Sequence, residues 1–343
     1  VFVSFDNGGS WRPLQLNLPR TPVTDMRIFR RDLVLSTQGR SFWILHDVTP
    51  LQQLSDSVAR LPAYLFAPRD AYRIRYSGSF GGVESNRSDP ADPEYPPPGA
   101  AIDYWLSPDA ARAPVTLEVL DSAGQVLRVF SSEASGEREV WPVEPGMRRP
   151  AMERVGTPRL PRSVGLNRFY WDLTLPGPWD SNPQRSGRNG PMVLPGTYVV
   201  RLTAGGRTMQ QRLVARMDPR VERDGVTLAD LREQLAHNLR VRDMVSEVNA
   251  LVQRIDAARQ RLAGASGAAR DTLARLEALR ARIVTPPIRY SKPELQAHIQ
   301  YLYGMTLGAD QKVGRDALER YRQLRGELDQ VEREILPLIG RAP

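Results

Sequence analysis

The sequence contains no cysteine, only three histidines and almost no lysine. Without thiols, a disulfide framework, iron–sulfur ligation and a thiol nucleophile are excluded. The histidines, His46, His237 and His298, lie in three separate regions. None is paired at the i,i+4 spacing that places two metal ligands on one helix face. Of 47 basic residues only Lys292 and Lys312 are lysine. The arginine bias reads first as that of a GC-rich genome and second as a surface for bidentate contacts to carboxylate or phosphate. No apolar run approaches the roughly 20 residues of a membrane helix. Also missing are a glycine-rich phosphate loop and a nucleophile elbow.

What is present is a globular composition, 41% hydrophobic over 343 residues, long enough for two or three domains. The net charge is +8, but the arginines are interleaved with Asp and Glu in every segment. That spread argues against nucleic acid, which selects a clustered basic face. The chain begins at Val1 rather than Met. We therefore expect a processed product or a fragment, with a targeting segment removed and a periplasmic or extracellular location.

The expected fold class is multidomain α+β. Its centre is Gly165–Asp218. Phe169, Trp171 and Leu173 alternate with polar or edge positions, as do Tyr198, Val200 and Leu202. Period-two alternation of aromatic and β-branched residues predicts half-buried antiparallel strands. Gly205-Gly206 marks a hairpin between the last two. Ala101–Leu106, Val115–Leu120 and Gln125–Phe130 add three strands. Residues 99–218 thus predict an immunoglobulin-like β-sandwich.

Residues 1–50 predict short strands, including Val23–Phe29 and Asp32–Thr37, after a turn at Asp6-Asn7-Gly8-Gly9. Trp11 is expected to be buried as that hairpin's anchor. Residues 51–98 read as a connector, with an edge strand at Ala63–Phe66 and a Gly/Ser/Asp/Pro run closing on Tyr95-Pro96-Pro97-Pro98. That run is a linker or a stiff strap across a partner surface.

Residues 219–343 predict an antiparallel helical bundle. Thr227 and Asp230 resemble a capping box, and Ser291 with Glu294 a second. Val241, Val245, Val248, Val252, Ile255 and Leu262 form a coiled-coil-like seam. Leu318, Tyr321, Leu324, Leu328, Val331, Ile335 and Leu338 line one face of the last helix.

Ser4-x-Asp6-x-Gly8-x-x-Trp11 resembles the Asp-box of sialidase-, sortilin- and BNR-type β-propellers. Gly39-Arg40-Ser41-Phe42-Trp43-Ile44 looks like the following strand in large bacterial proteins of that type, often labelled glycosyl hydrolases. Asn167–Leu173 with Pro195–Tyr198 looks like the FlgD-type Ig-like domain that often follows such propellers, and Leu302–Lys312 resembles their closing helical segment. The resemblance implies that residues 1–50 are a remnant blade, that Ser4, Asp6, Gly8 and Trp11 are structural, and that the Ig-like domain is an accessory. A blade takes roughly 40–50 residues and a propeller at least four blades, so these residues supply one blade at most.

Candidate partner-binding residues are Tyr95 in the strap, Arg148, Arg149, Arg154, Arg159 and Arg162 in a Pro/Arg loop, and Trp179 in the loop 176–191. Long loops on a rigid sandwich are where binding usually sits. His46-Asp47 could orient a base, and Asp89, Asp92 and Glu94 cluster in a loop. No credible pair of catalytic carboxylates is read, and no metal or cofactor site.

Two functions remain open. One is a non-catalytic, exported scaffold that binds protein partners, for example an extrinsic periplasmic subunit of a membrane-associated complex. The other is the C-terminal accessory region of a sortilin-like glycoside hydrolase, with carbohydrate chemistry in an upstream propeller.

Overall fold

The computed structural model describes residues 1–75, 98–133, 159–264 and 266–340. It is mixed α+β, with four separate sheets and seven α-helices among those residues.

The N-terminal part holds two small sheets. Strands β1 (Phe2–Val3) and β2 (Arg12–Pro13) pair across the Asp6–Gly9 turn. Strands β3 (Val23–Phe29), β4 (Asp32–Thr37) and β5 (Phe42–Leu45) form an antiparallel meander in that order. Its core is small: Leu33, Leu35 and Val48 are buried, with Val1, Leu14, Leu18, Trp43 and Leu45 packed against them. Trp11 is not part of it. The ring is 63% exposed and lies over Gly8 of its own turn. The expected anchor is therefore overturned, because the hairpin's apolar contacts run through Val1, Leu14 and Leu18 instead.

Two short helices, α1 (Thr49–Gln53) and α2 (Asp56–Ala59), lead into β6 (Ala63–Leu65) and β7 (Ala71–Arg73). These strands lie in the stretch expected to be a connector, yet both enter the central sheets. The central strands are β8 (Ala100–Leu106), β9 (Thr116–Leu120), β10 (Val126–Ser131), β11 (Gly165–Trp171), β12 (Gly196–Ala204) and β13 (Arg207–Met217). One sheet has the order β10-β9-β12-β13-β7, with β7 joined to β13 in parallel; the other has the order β11-β8-β6.

Both sheets share one hydrophobic core. The two-residue period places Phe169, Trp171, Tyr198, Val200 and Leu202 inward, as the alternation requires. Phe130 tilts against Phe169 at 4.7 Å, and Trp171 meets Tyr198 edge-on at 5.8 Å. Burying aromatic side chains of this size contributes about 1.5–3 kcal/mol each.

The helical part comprises α3 (Pro219–Arg223), α4 (Leu228–Arg261), α5 (Ala268–Ala281), α6 (Leu295–Leu307) and α7 (Arg315–Ile339). Thr227 and Asp230 make the reciprocal capping box at the start of α4. Ser291 does not cap α6: the helix starts at Leu295, and the Glu294 amide donates to Thr285 Oγ1 (2.9 Å) instead. Helix directions follow from side-chain pairs. Asp256 meets Arg280 and Asn249 meets Gln296, so α5 and α6 run antiparallel to α4. His237 meets Tyr321 and Glu247 meets Arg325, so α7 runs parallel to α4. Val241, Val245, Val248, Ile255, Leu324, Leu328, Val331 and Ile335 fill the shared core. Among the described residues, no helix is long and apolar enough to cross a membrane.

Candidate docking surface and the joints behind it

The Asp-box turn is closed by its own side chains. Asp6 accepts from the Ser10 amide (2.8 Å), the Ser10 hydroxyl (2.6 Å) and the Ser4 hydroxyl (2.8 Å). The Gly8 amide donates to Ser4 Oγ at 2.7 Å. Hydrogen bonds from Ser10, and then from Ser4, lower the Asp6 carboxyl to about 2. Both carboxylate oxygens accept hydrogen bonds from within the turn.

Beyond the turn the surface is apolar. In the β3–β4–β5 sheet, Met26 pairs with Leu35 and Ile28 with Leu33, placing all four on the face that carries the small core. Yet Met26 and Ile28 are more than half exposed. On the opposite face Ile44 pairs with Val34, Phe42 with Ser36 and Phe29 with Asp32. Phe29, Phe42 and Ile44 are also more than half exposed. Among the described residues, strand β3 has no partner on its outer edge, and all its residues are exposed. Large apolar side chains thus project from both faces of one sheet that also has an open edge. Large exposed apolar side chains beside an unpaired strand edge mark interaction sites.

This sheet is fixed to the central sheets by a partly buried polar cluster. Arg168 on β11 holds Asp103 on β8 (Nε–Oδ1, 2.8 Å) and donates to the carbonyls of His46 and Asp47. Arg69 reaches Asp32 (2.8 Å) and His46 Nε2 (2.7 Å). Burial, and then the charge of Arg69, lower the His46 pKa. His46 therefore sits between Arg69 and Asp32, and the carbonyls of His46 and Asp47 take part in the attachment through Arg168.

The loop expected to bind a partner at Trp179 makes a second joint. The Trp179 amide donates to Ser246 Oγ (2.9 Å), and its carbonyl accepts from Asn249 Nδ2 (2.8 Å), both on α4. Tyr303 on α6 donates to the Asn189 carbonyl at 2.8 Å. The backbone of this loop straps the central sheets to the bundle. Sequence reading missed this, because the partners are backbone groups and carry no residue signature.

Arg159 donates from Nε to the Ser132 carbonyl, next to its strand end. Arg162 is exposed. Tyr95, Arg148, Arg149 and Arg154 lie outside the described residues, as do Asp89, Asp92 and Glu94. Asp172 accepts from the Thr174 amide and hydroxyl and caps a strand end. An open groove between α6 and α7 is lined by His298, Tyr301, Met305, Asp316, Glu319 and Arg320. Among the described residues, no group of three or more acidic or histidine side chains could hold a metal ion.

No family model, curated protein or solved structure matches the chain.

Proposed function

We propose that this chain is a non-catalytic scaffold whose N-terminal sheets dock against the β-sheet of a protein partner, with the sandwich and bundle as the platform behind them. The observation that carries this reading is the β3–β4–β5 sheet, which exposes Phe29, Phe42 and Ile44 on one face and Met26 and Ile28 beside the small core on the other. A sheet with one apolar face uncovered and an unpaired edge is completed by further sheet stacked on it at about 10 Å, or paired along its edge. The partner is protein rather than nucleic acid, since the surface is apolar and aromatic. An extrinsic position on the periplasmic side of a membrane assembly is the setting we assign to it.

A second reading shares the same observation. The covering sheets belong to the same polypeptide, as further blades of a β-propeller of the sortilin-like glycoside hydrolase type, and this chain is its accessory C-terminal region. The formed Asp-box turn supports it. Isolation of the native protein under mild conditions separates the two. A polypeptide near 38.5 kDa that travels with other proteins supports the scaffold. A much larger free polypeptide supports the propeller. The docking face itself is tested by Phe42→Asp with Ile44→Asp: loss of the co-purifying partner supports it, and unchanged recovery of the partner overturns it.

A further inference from the structure

Helix α4 carries a polar row inside the bundle. Gln234 donates from Nε2 to the carbonyls of Thr306 (3.1 Å) and Ala309 (2.6 Å), and Asn238 donates to Thr306 (3.3 Å). These bonds hold the turn between α6 and α7. The same turn presents Asp310 to Arg73 and Arg75, which lie in β7 and just beyond it. Arg75 also donates to the Leu307 carbonyl. One short segment, Thr306–Asp310, therefore ties the central sheet to the bundle.

His237 sits one turn from Gln234 and next to Asn238. It is fully buried, and neither ring nitrogen has a hydrogen-bond partner among the described residues. From α7, Tyr321 meets it edge-on at 5.9 Å. From its own helix, Arg240 adds positive charge, with its guanidinium over the Tyr321 ring at 5.5 Å. In the α6–α7 turn, Asp310 is committed to the two arginines. Burial, and then Arg240, both favour its neutral form. A buried imidazole without partners is costly even when neutral, and costlier when protonated.

We propose that His237 makes the joint between the helical bundle and the central sheet acid-labile, so that protonating its ring loosens α4 from the α6–α7 turn and releases Asp310 from Arg73 and Arg75. The sign follows from linkage. The folded-state pKa lies below the ordinary 6.5. The stabilisation is complete above 6.5 and is lost as pH falls from 6.5 to the lowered value. Across that interval the opening equilibrium rises about tenfold per pH unit. His46, the other histidine at a joint, differs in having Asp32 and Asp47 beside it to offset its protonation.

With only three histidines, the test is site-resolved. Carbon-13 labelling of histidine in the full chain follows each ring by NMR from pH 8 to 5, with His237→Gln and His237→Phe assigning the resonance. Amide exchange is read over 304–312 at each pH, wild type against variant. The expected result is a His237 titration below 6.5, with protection over 304–312 falling in the wild type relative to the variants as the pH is lowered. A His237 titration at or above 6.5, or protection that falls in parallel in wild type and variants, overturns the proposal. The wild-type titration stands alone if neither variant folds.

Discussion

Nη1 of Arg73 and Oδ2 of Asp310 lie 3.0 Å apart with both side chains almost wholly buried, although 237 positions separate them in the chain. The aligned hydrogen bond runs from Nη2 to Oδ1 at 3.1 Å. Burial lowers the Arg73 pKa, while Asp310 raises it in opposition. Removing one partner leaves the other charged and buried. Asp310→Ala is expected to destabilise the chain by about 3–5 kcal/mol, read from urea denaturation. Arg73→Met with Asp310→Leu is expected to cost less than Asp310→Ala alone, since the fully buried Arg73 charge is removed and only Arg75, about a quarter exposed, loses its carboxylate. A double variant as unstable as the single one would show that the pair is needed for more than its charges.

The strap at 174–193 depends on two backbone approaches. A Cβ at Gly177 would stand 1.6 Å from the Arg188 carbonyl oxygen, and one at Gly190 would stand 1.7 Å from that of Leu175. Neither obstacle is a flexible side-chain tip. Gly190→Ala must therefore open the strap, with a loss of more than about 3 kcal/mol. Exchange of the Trp179 amide, now bonded to Ser246, reports it directly. Unchanged protection at Trp179 would show that the two arms separate without releasing α4.

The strands with long alternating runs were legible because their faces differ: Phe169 and Trp171 are inside, and Leu166 and Arg168 are not. Helix α4 was legible from Thr227 and Asp230 and its valine seam. The joints were not. Strand β7 is three residues long and pairs in parallel with β13, so neither hairpin nor periodicity announces it. Arg73 looks like any other arginine until Asp310 is brought to it. Trp11 was misread because size alone does not bury a side chain where the local core is only three residues deep. Of the candidate docking surface, Phe42 and Ile44 were visible as strand residues. That their face is uncovered follows only from the register.

The two-residue turn between β3 and β4 places Arg30 and Arg31 at φ 48° and 71°. Two-residue hairpin turns of this hand favour Asn and Gly, because a Cβ is strained there. Arg31→Gly is expected to raise stability by about 1 kcal/mol, since glycine keeps the backbone carbonyl that accepts from the Val48 amide and relieves the strained φ. Arg30→Gly is expected to gain less, since it gives up the contact of its guanidinium with the Phe29 ring at 5.3 Å. Thermal melts of the two variants rank them. An equal or lower melting temperature for Arg31→Gly would mean the turn is not strained.

The Asp6 carboxyl gives a titration with a definite sign. Its folded value of about 2 lies below the ordinary 3.8, because the Ser10 and Ser4 groups donate to the ionised form. The stabilisation from this turn is therefore complete above 3.8 and disappears as the pH falls through about 2. Ser10→Ala removes the largest donor, so the Asp6 carboxyl should titrate closer to 3.8, with the Ser10 amide and Ser4 still holding part of the shift. Carbonyl-13C NMR of labelled aspartate measures both values. An Asp6 that titrates at 3.8 in the unaltered chain would mean that the box is open in solution, and Trp11 would then have no closed turn to lie upon.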